Sequence, residues 1–182
     1  MTFYKIKNKI GVKEKGGIMD KRQEDFFRQR ENKIKKKIVS DIENVGWSVI
    51  GVFGDIEKNE PPFSYSVGFS RMGKPEIIVV GLPLEIAQSI INEIGQRFKK
   101  TGVFPVAGDI RDDLANLPCT FIALSEQAVK ERLRAATALM DPPVEALQLI
   151  WPDRQGKFPW DEGFDESMRA AQPLLGTPPL KH

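Results

Sequence analysis

The strongest constraint on the fold is a glycine-punctuated stretch, residues 46–98, in which three short apolar runs precede one longer amphipathic run. The short runs are rich in β-branched and aromatic residues and are bounded by turn formers, which predicts three β-strands. They are residues 46–53, 63–69 and 76–83. The connections between them are at most nine residues long, too short for a helical crossover. The strands are therefore predicted to form an antiparallel meander.

The fourth run differs from the first three in the spacing of its apolar residues. Apolar residues recur at spacings of three and four from Leu84 to Phe98, which predicts one face of an α-helix. Pro83 is suited to the start of this helix, and Thr101 and Gly102 to its end.

The rest of the chain adds two strands and two helices to this prediction. An amphipathic helix precedes the first strand, Ser125 is a candidate N-cap for a helix to residue 137, and Pro142 and Pro143 follow that helix. The further strands are predicted at 117–124 and 146–151. The predicted fold class is α+β: a single domain with a mostly antiparallel sheet of about five strands packed by two helices, preceded by an N-terminal amphipathic helix.

Composition shifts divide the chain into a basic tail, a helix, a globular domain and a proline-rich tail. The predicted bounds are 1–18, 19–44, 45–171 and 172–182. Residues 15–19 can be back-translated as a purine-rich tract before an ATG, so translation from Met19 is one hypothesis for the basic tail. A disordered basic extension is the other.

The charge of the chain is divided in the same way. Residues 1–40 hold 13 Lys and Arg against 5 Asp and Glu, a net +8, whereas residues 41–182 hold 14 against 20, a net −6. The basic cluster of the first helix, Lys33 to Lys37, has no aromatic residues interleaved and is typical of a solvated helix face. Nucleic acid is therefore not expected as a partner.

Several classes of site and location are not expected. His182 is the only histidine, and Cys119 lies in an apolar run typical of a core strand, so histidine- and cysteine-based catalysis and histidine-ligated zinc are excluded. The aspartates of 103–116 lack EF-hand spacing, and neither a metal nor a cofactor is predicted. No secretory signal and no long apolar run is visible, which predicts a cytoplasmic protein without a membrane segment.

A second distinctive segment, residues 151–161, carries two tryptophans, two prolines and an Asp-x-x-Gly turn. Proline fixes φ and glycine permits positive φ, so the segment is predicted to be a rigid loop that presents indole rings and carboxylates. The alternative is that the tryptophans cap the core and the acids solvate the turn.

These segments resemble the signatures of a bacterial family, domain of unknown function 4262, over about residues 38–165. The resemblance rests on 63–69, on 74–82 and on 148–160. Ser66 and Phe69 stand where the family has threonine and leucine. The family's motif residues fall here on Tyr65, Gly68, Pro75, Glu76, Gly81, Trp151, Asp153 and Trp160. The resemblance implies no reaction.

Two functional interpretations follow. The first is a binding or regulatory module for a small molecule or a protein, in which a sheet with helices on one side displays an aromatic and carboxylate site. The predicted site residues are Tyr65, Ser66, Glu76, Trp151, Asp153 and Trp160. The second is a small hydrolase or transferase with Glu76 and Asp153 as acid and base and Tyr65 as donor. A glutamate directly after Pro75 is also typical of a hydrogen-bonding turn residue.

Five of these residues, Tyr65, Glu76, Trp151, Asp153 and Trp160, are predicted to gather on one side of the sheet. Tyr65 is predicted to face opposite to Ser64 and Ser66, since side chains alternate along a strand. Asp153 is predicted either as a solvated site residue or as a buried acid that holds its loop together.

Overall fold

A seven-stranded sheet and four α-helices make up the computed structural model, which describes residues 4–7, 21–112, 114 and 118–179. The strands are β1 Tyr4–Lys7, β2 Ser48–Phe53, β3 Phe63–Val67, β4 Glu76–Val80, β5 Ile110–Arg111, β6 Cys119–Ala123 and β7 Ala146–Ile150. The helices are α1 Lys21–Val45, α2 Leu84–Thr101, α3 Glu126–Arg132 and α4 Arg134–Leu139. Two 3₁₀ helices span Phe69–Met72 and Glu166–Ala171.

The predicted meander is confirmed. β2 pairs antiparallel with β3, with Ser48 opposite Val67, and β3 pairs antiparallel with β4, with Tyr65 opposite Ile78. The strand order is β1-β2-β3-β4-β7-β6-β5.

The sheet is mixed but mostly antiparallel, as predicted, since four of its six strand pairs are antiparallel; it has seven strands where about five were predicted. β7 lies between β4 and β6 and runs parallel to β4, and β1 runs parallel to β2. The parallel β4–β7 pair is possible because α2 and further elements lie between the two strands in sequence, long enough for a crossover. Two strands were not predicted. β1 lies in the segment that was interpreted as a basic tail, and β5 has only two residues, too few to show a period.

Both faces of the sheet are covered, so the prediction of helices on one side is wrong. Side chains from β4 alternate between two cores: Ile77 and Val79 pack with α2, while Ile78 and Val80 pack with α1, α3 and α4. All five residues of β4 are buried, which is typical of a strand covered on both faces.

Helix α2 has the predicted ends. Pro83 precedes it, and Gly102 ends it in the left-handed region with φ 74°. The helix packs closely on the sheet at Gly95, where a Cβ would lie 2.6 Å from the Trp47 ring. The Trp47 indole also donates a hydrogen bond of 3.0 Å to Asn92 Oδ1, which fixes α2 to the start of β2.

The predicted helix from Ser125 to 137 is two helices. Ser125 caps α3 as predicted, since its side chain accepts from the Ala128 amide at 3.2 Å. Leu133 then interrupts the helix with φ −98° and ψ 47° and lies fully buried in the core. Its burial redirects the chain into α4.

The predicted segments at the two ends of the chain are described in part. Of the predicted basic tail 1–18, only β1 lies within the described residues, and the start at Met19 stays a prediction. α1 is the amphipathic helix that was predicted before the first strand, and its apolar residues Ile38 and Ile42 are buried. None of the described helices is long and apolar enough to cross a lipid bilayer.

Candidate functional site

The five residues predicted to gather on one side of the sheet do not do so. Tyr65 packs in the core with α1, α3 and α4, whereas Trp151 packs in the core with α2. The sheet itself lies between them, so the prediction of a common cluster is wrong. Tyr65 does face opposite to Ser66, whose hydroxyl contacts Glu76.

Glu76, fully buried at the start of β4, accepts five hydrogen bonds, one from the end of β3 and four from the turn after it. The donors are the Ser66 hydroxyl at 2.5 Å, the amides of Gly68, Phe69 and Ser70 at 2.9, 3.3 and 3.1 Å, and the Ser70 hydroxyl at 2.9 Å. Carboxyl oxygens accept hydrogen bonds, and the two oxygens of Glu76 match this set of donors. The side chain therefore holds the turn and the first amides of the following 3₁₀ helix.

Gly68 is required where this turn leaves β3. Its φ is +125°, and a Cβ there would lie 2.7 Å from the Gly46 carbonyl oxygen. Only glycine fits such a close backbone approach without a shift. Two motif residues, Gly68 and Glu76, are thereby explained by the packing of one turn.

Glu76 and Asp153 lie at opposite ends of the sheet. Glu76 is opposite Ala146, the first residue of β7, in the parallel β4–β7 pair. β7 continues to Ile150, which adds about 13 Å at roughly 3.3 Å per residue, and Asp153 follows beyond that end. The acid/base pair of the enzymatic interpretation needs two carboxylates at one bond, and this arrangement separates them.

Asp153 holds together the loop after β7. It is 4% exposed, and its carboxylate accepts from the amides of Gln155, Lys157 and Asp165, each at 2.9 Å. Burial by itself raises the pKa of Asp153, but the three amide donors and the nearby Lys157 charge together hold this pKa below its ordinary value. Of the two predicted roles, the geometry matches that of the buried acid.

Trp151 makes three hydrogen bonds through its indole, its backbone amide and its carbonyl. Its indole donates to the Val80 carbonyl at 2.9 Å, which ties the ends of β4 and β7 together. Its backbone amide donates to Gln172 Oε1 at 2.9 Å, and its carbonyl accepts from Gln172 Nε2 at 2.8 Å. This tryptophan caps the core, as one of the two sequence interpretations predicted.

Tyr65 joins β3 to α4. Its hydroxyl accepts from the Ala135 amide at 3.2 Å. Burial raises the pKa of Tyr65 to about 12, against smaller lowering effects of the Ala135 hydrogen bond and the Arg134 charge, and Glu76 adds to the rise. A neutral phenol is the stable form in this core.

Trp160 differs from the other five site residues because it is half-exposed. Its ring stacks on Phe158 with centroids 5.5 Å apart and an interplanar angle of 21°. Neither ring belongs to the two cores formed by the described residues. The loop that carries them is nevertheless rigid, because Asp161 Oδ2 accepts from the Phe158 amide at 2.8 Å and Asp153 fixes its base.

Two glutamines were missed by the sequence analysis. Gln148 and Gln172 are buried and bind backbone groups, at 0% and 1% exposure. Gln148 interrupts the apolar run of β7 between Leu147 and Leu149, which is the signal that could have identified it. A polar residue inside such a run must find a hydrogen-bond partner when the strand is buried on both faces.

Comparison with known proteins identifies the family. Neither the curated proteins nor the solved structures contain a match to the chain. The model of the family described as Domain of unknown function (DUF4262) matches residues 41–165, which include every predicted site residue. The chain therefore belongs to the DUF4262 family.

Proposed function

We propose that this chain is a binding or regulatory module of the bacterial cytoplasm, and that it binds its partner at the surface of the loop 153–166. The observation that carries the proposal is the Phe158–Trp160 stack, which lies outside both cores on a loop fixed by Asp153. A rigid aromatic pair that adds little to the core is typical of a binding surface, since ordering it at the moment of binding costs no entropy.

The charge around the stack favours a cationic partner group. Four acids of the loop and the following 3₁₀ helix are exposed. They are Asp161, Glu162, Asp165 and Glu166. Of the three cations, Arg169 is bound to Glu166 at 2.6 Å, the Lys157 ammonium donates to the Glu162 carbonyl at 2.5 Å, and Arg154 is exposed. With Asp153, five acids outnumber these three cations. An aromatic face beside carboxylates suits an arginine or lysine side chain of a protein, or a small cationic ligand.

A fluorescein-labelled peptide that alternates arginine and glycine tests this surface by fluorescence anisotropy at low salt. We expect Trp160→Ala to weaken peptide binding at least about tenfold, since a tryptophan anchor is worth roughly 2 kcal/mol or more. Its melting temperature should stay close to that of the wild type, because Trp160 is half-exposed and outside both cores.

Ile56→Ala is the matched control, since Ile56 is 98% exposed in the β2–β3 connection. It should leave peptide binding unchanged. Equal binding by the wild type and Trp160→Ala would refute the assignment of the surface.

A further inference from the structure

The described part of the proline-rich tail begins as an extended strap, residues 172–176, that is bound along β7 and the end of β6. Gln148 Nε2 donates to the Pro173 carbonyl at 2.9 Å, and the Leu175 amide donates to Gln148 Oε1 at 2.8 Å. One side-chain amide thus makes the donor and acceptor pair that a neighbouring strand would make with an extended chain.

Further backbone contacts continue this pairing. The Ser125 amide donates to the Leu175 carbonyl at 3.2 Å, and Leu124 forms an antiparallel bridge with Gly176. Gly176 is required at the bridge, because a Cβ there would lie 1.8 Å from the Ala123 carbonyl oxygen. The groove therefore binds the backbone of residues 173–176 and demands glycine at one position, while the Gln172 side chain pairs with the Trp151 amide and carbonyl at the start of the strap.

The chemistry of Gln148 points to a site built for an extended chain. A glutamine at 0% exposure in a central strand is stable only with its amide hydrogen-bonded, and both of its bonds go to the strap backbone. Nothing in these two bonds depends on the strap's side chains. Leu175 adds apolar contact to the core with α1, α3 and α4, where it is partly buried.

The groove and its occupant belong to different parts of the chain. Ser125, Gln148 and Trp151 lie inside the residues that match the family, and the strap lies beyond them. The strap is joined to the matched domain through a short 3₁₀ helix, Glu166–Ala171, of which Met168 and Ala171 pack against the core with α2.

We propose that the groove under the strap is a binding site for an extended peptide segment of a partner protein, and that residues 172–176 occupy it in the free protein. The partner segment is uncharged, with an amide side chain at the position of Gln172, apolar residues after it and glycine at the position of Gly176, since these are the properties that the groove accepts in the strap. A tethered strap competes at high effective concentration, so the partner segment binds weakly until the strap is released. This site is separate from the aromatic surface of the proposed function.

A fluorescein-labelled peptide with the sequence of residues 171–177 tests the groove in the full-length protein by anisotropy. Gly176→Val expels the protein's own strap, because the new side chain meets the Ala123 carbonyl. We expect at least about tenfold tighter peptide binding to Gly176→Val than to the wild type, as the competing strap is removed.

Two matched controls address the groove itself. Adding Gln148→Leu to Gly176→Val should abolish peptide binding, and a peptide with valine at the position of Gly176 should not bind. A folded Gly176→Val protein with exposed strap amides that binds no peptide would overturn the proposal. A wild-type protein that sediments as a dimer with protected strap amides would also overturn it, since a second copy's strap would then be the occupant.

Amide hydrogen exchange of the wild type decides the matter if Gly176→Val does not fold. The Leu175 amide is expected to exchange faster than the amides of β4, because the strap opens without global unfolding. Equal exchange rates would mean that the strap never leaves the folded protein, and the groove would then be closed to any partner.

Discussion

The Gly68 amide donates a hydrogen bond of 2.9 Å to the Glu76 carboxylate, which joins the end of β3 to the start of β4. Glu76→Gln replaces one of the two acceptor oxygens with an NH₂ group that faces buried N–H donors. We expect the free energy of unfolding to fall by about 2–4 kcal/mol, since at least one buried amide loses its partner. Urea denaturation followed by tryptophan fluorescence measures this.

The control for Glu76 is Glu43→Gln, an exposed glutamate near the end of α1. Its effect should stay within about 0.5 kcal/mol. If Glu76→Gln were as stable as this control, Glu76 would be free of a structural role and would return as a candidate for chemistry.

Asp153→Asn tests whether Asp153 is a structural acid. We expect a lower melting temperature at pH 7, because an NH₂ group then faces one of the amides that the carboxylate accepts from. The pKa of Asp153 is depressed in the folded state, so the carboxylate stabilises the fold above its unfolded pKa of about 4. This stabilisation is lost as the pH falls further, toward the folded pKa.

Melting curves of the wild type and Asp153→Asn should therefore converge in acid, between pH 5 and the lowest pH at which the wild type stays folded. The control is Asp141→Asn, because Asp141 is exposed and lies in the connection between α4 and β7. This variant should melt like the wild type. An unchanged melting temperature of Asp153→Asn at pH 7 would make Asp153 a solvated acid available to a ligand.

The features that the sequence predicts well are those decided by neighbouring residues. The start and end of α2 follow from Pro83 and Gly102, and the meander follows from short connections that leave no alternative. The break at Leu133 was missed because this residue is held by core contacts with residues that are distant in sequence. The place of β7 between β4 and β6 was missed for the same reason.

The site residues show a similar limit. Their residue types and order were sufficient to identify the family, but the partners of Glu76, Asp153 and Trp151 are mostly backbone amides and carbonyls. Backbone groups carry no signal in the sequence, so buried structural acids and functional acids have the same pattern. Only Trp160, half-exposed and outside the cores, keeps a surface position.

Tyr65→Phe is predicted to change how stability depends on alkaline pH. At pH 7 the substitution should lower the free energy of unfolding by about 1 kcal/mol, since the Ala135 amide loses its acceptor. The pKa of Tyr65 rises to about 12 on folding, from about 10 in an unfolded chain, so its contribution is full below pH 10 and declines as the pH rises toward 12.

Urea denaturation of the wild type and Tyr65→Phe at pH 9 and pH 11 measures this effect. At each pH the free energy of one protein is subtracted from that of the other, which cancels the effect of lysine titration on stability. We expect the advantage of the wild type to shrink by about 1 kcal/mol over this interval. Parallel pH curves would show that the hydroxyl of Tyr65 reaches solvent.

Ser64→Ala is predicted to stabilise the protein. Ser64 lies on β3 opposite Gly51 and Val79 and is fully buried, and its hydroxyl has no hydrogen-bond partner among the described residues. An unpaired buried hydroxyl costs free energy that alanine, of nearly the same size, does not. We expect the free energy of unfolding to rise by about 1 kcal/mol in urea denaturation.

Ser48→Ala is the matched control, because Ser48 is equally buried on the neighbouring strand but donates a hydrogen bond of 3.0 Å to Asp41 Oδ2. Removing this donor should lower the free energy of unfolding by about 1–2 kcal/mol, since Asp41 is 9% exposed and loses a buried partner. The two serines thus separate the cost of an unpaired hydroxyl from the contribution of a paired one. A loss of stability in Ser64→Ala similar to that in Ser48→Ala would mean that a bound water or ligand pairs with the Ser64 hydroxyl in solution.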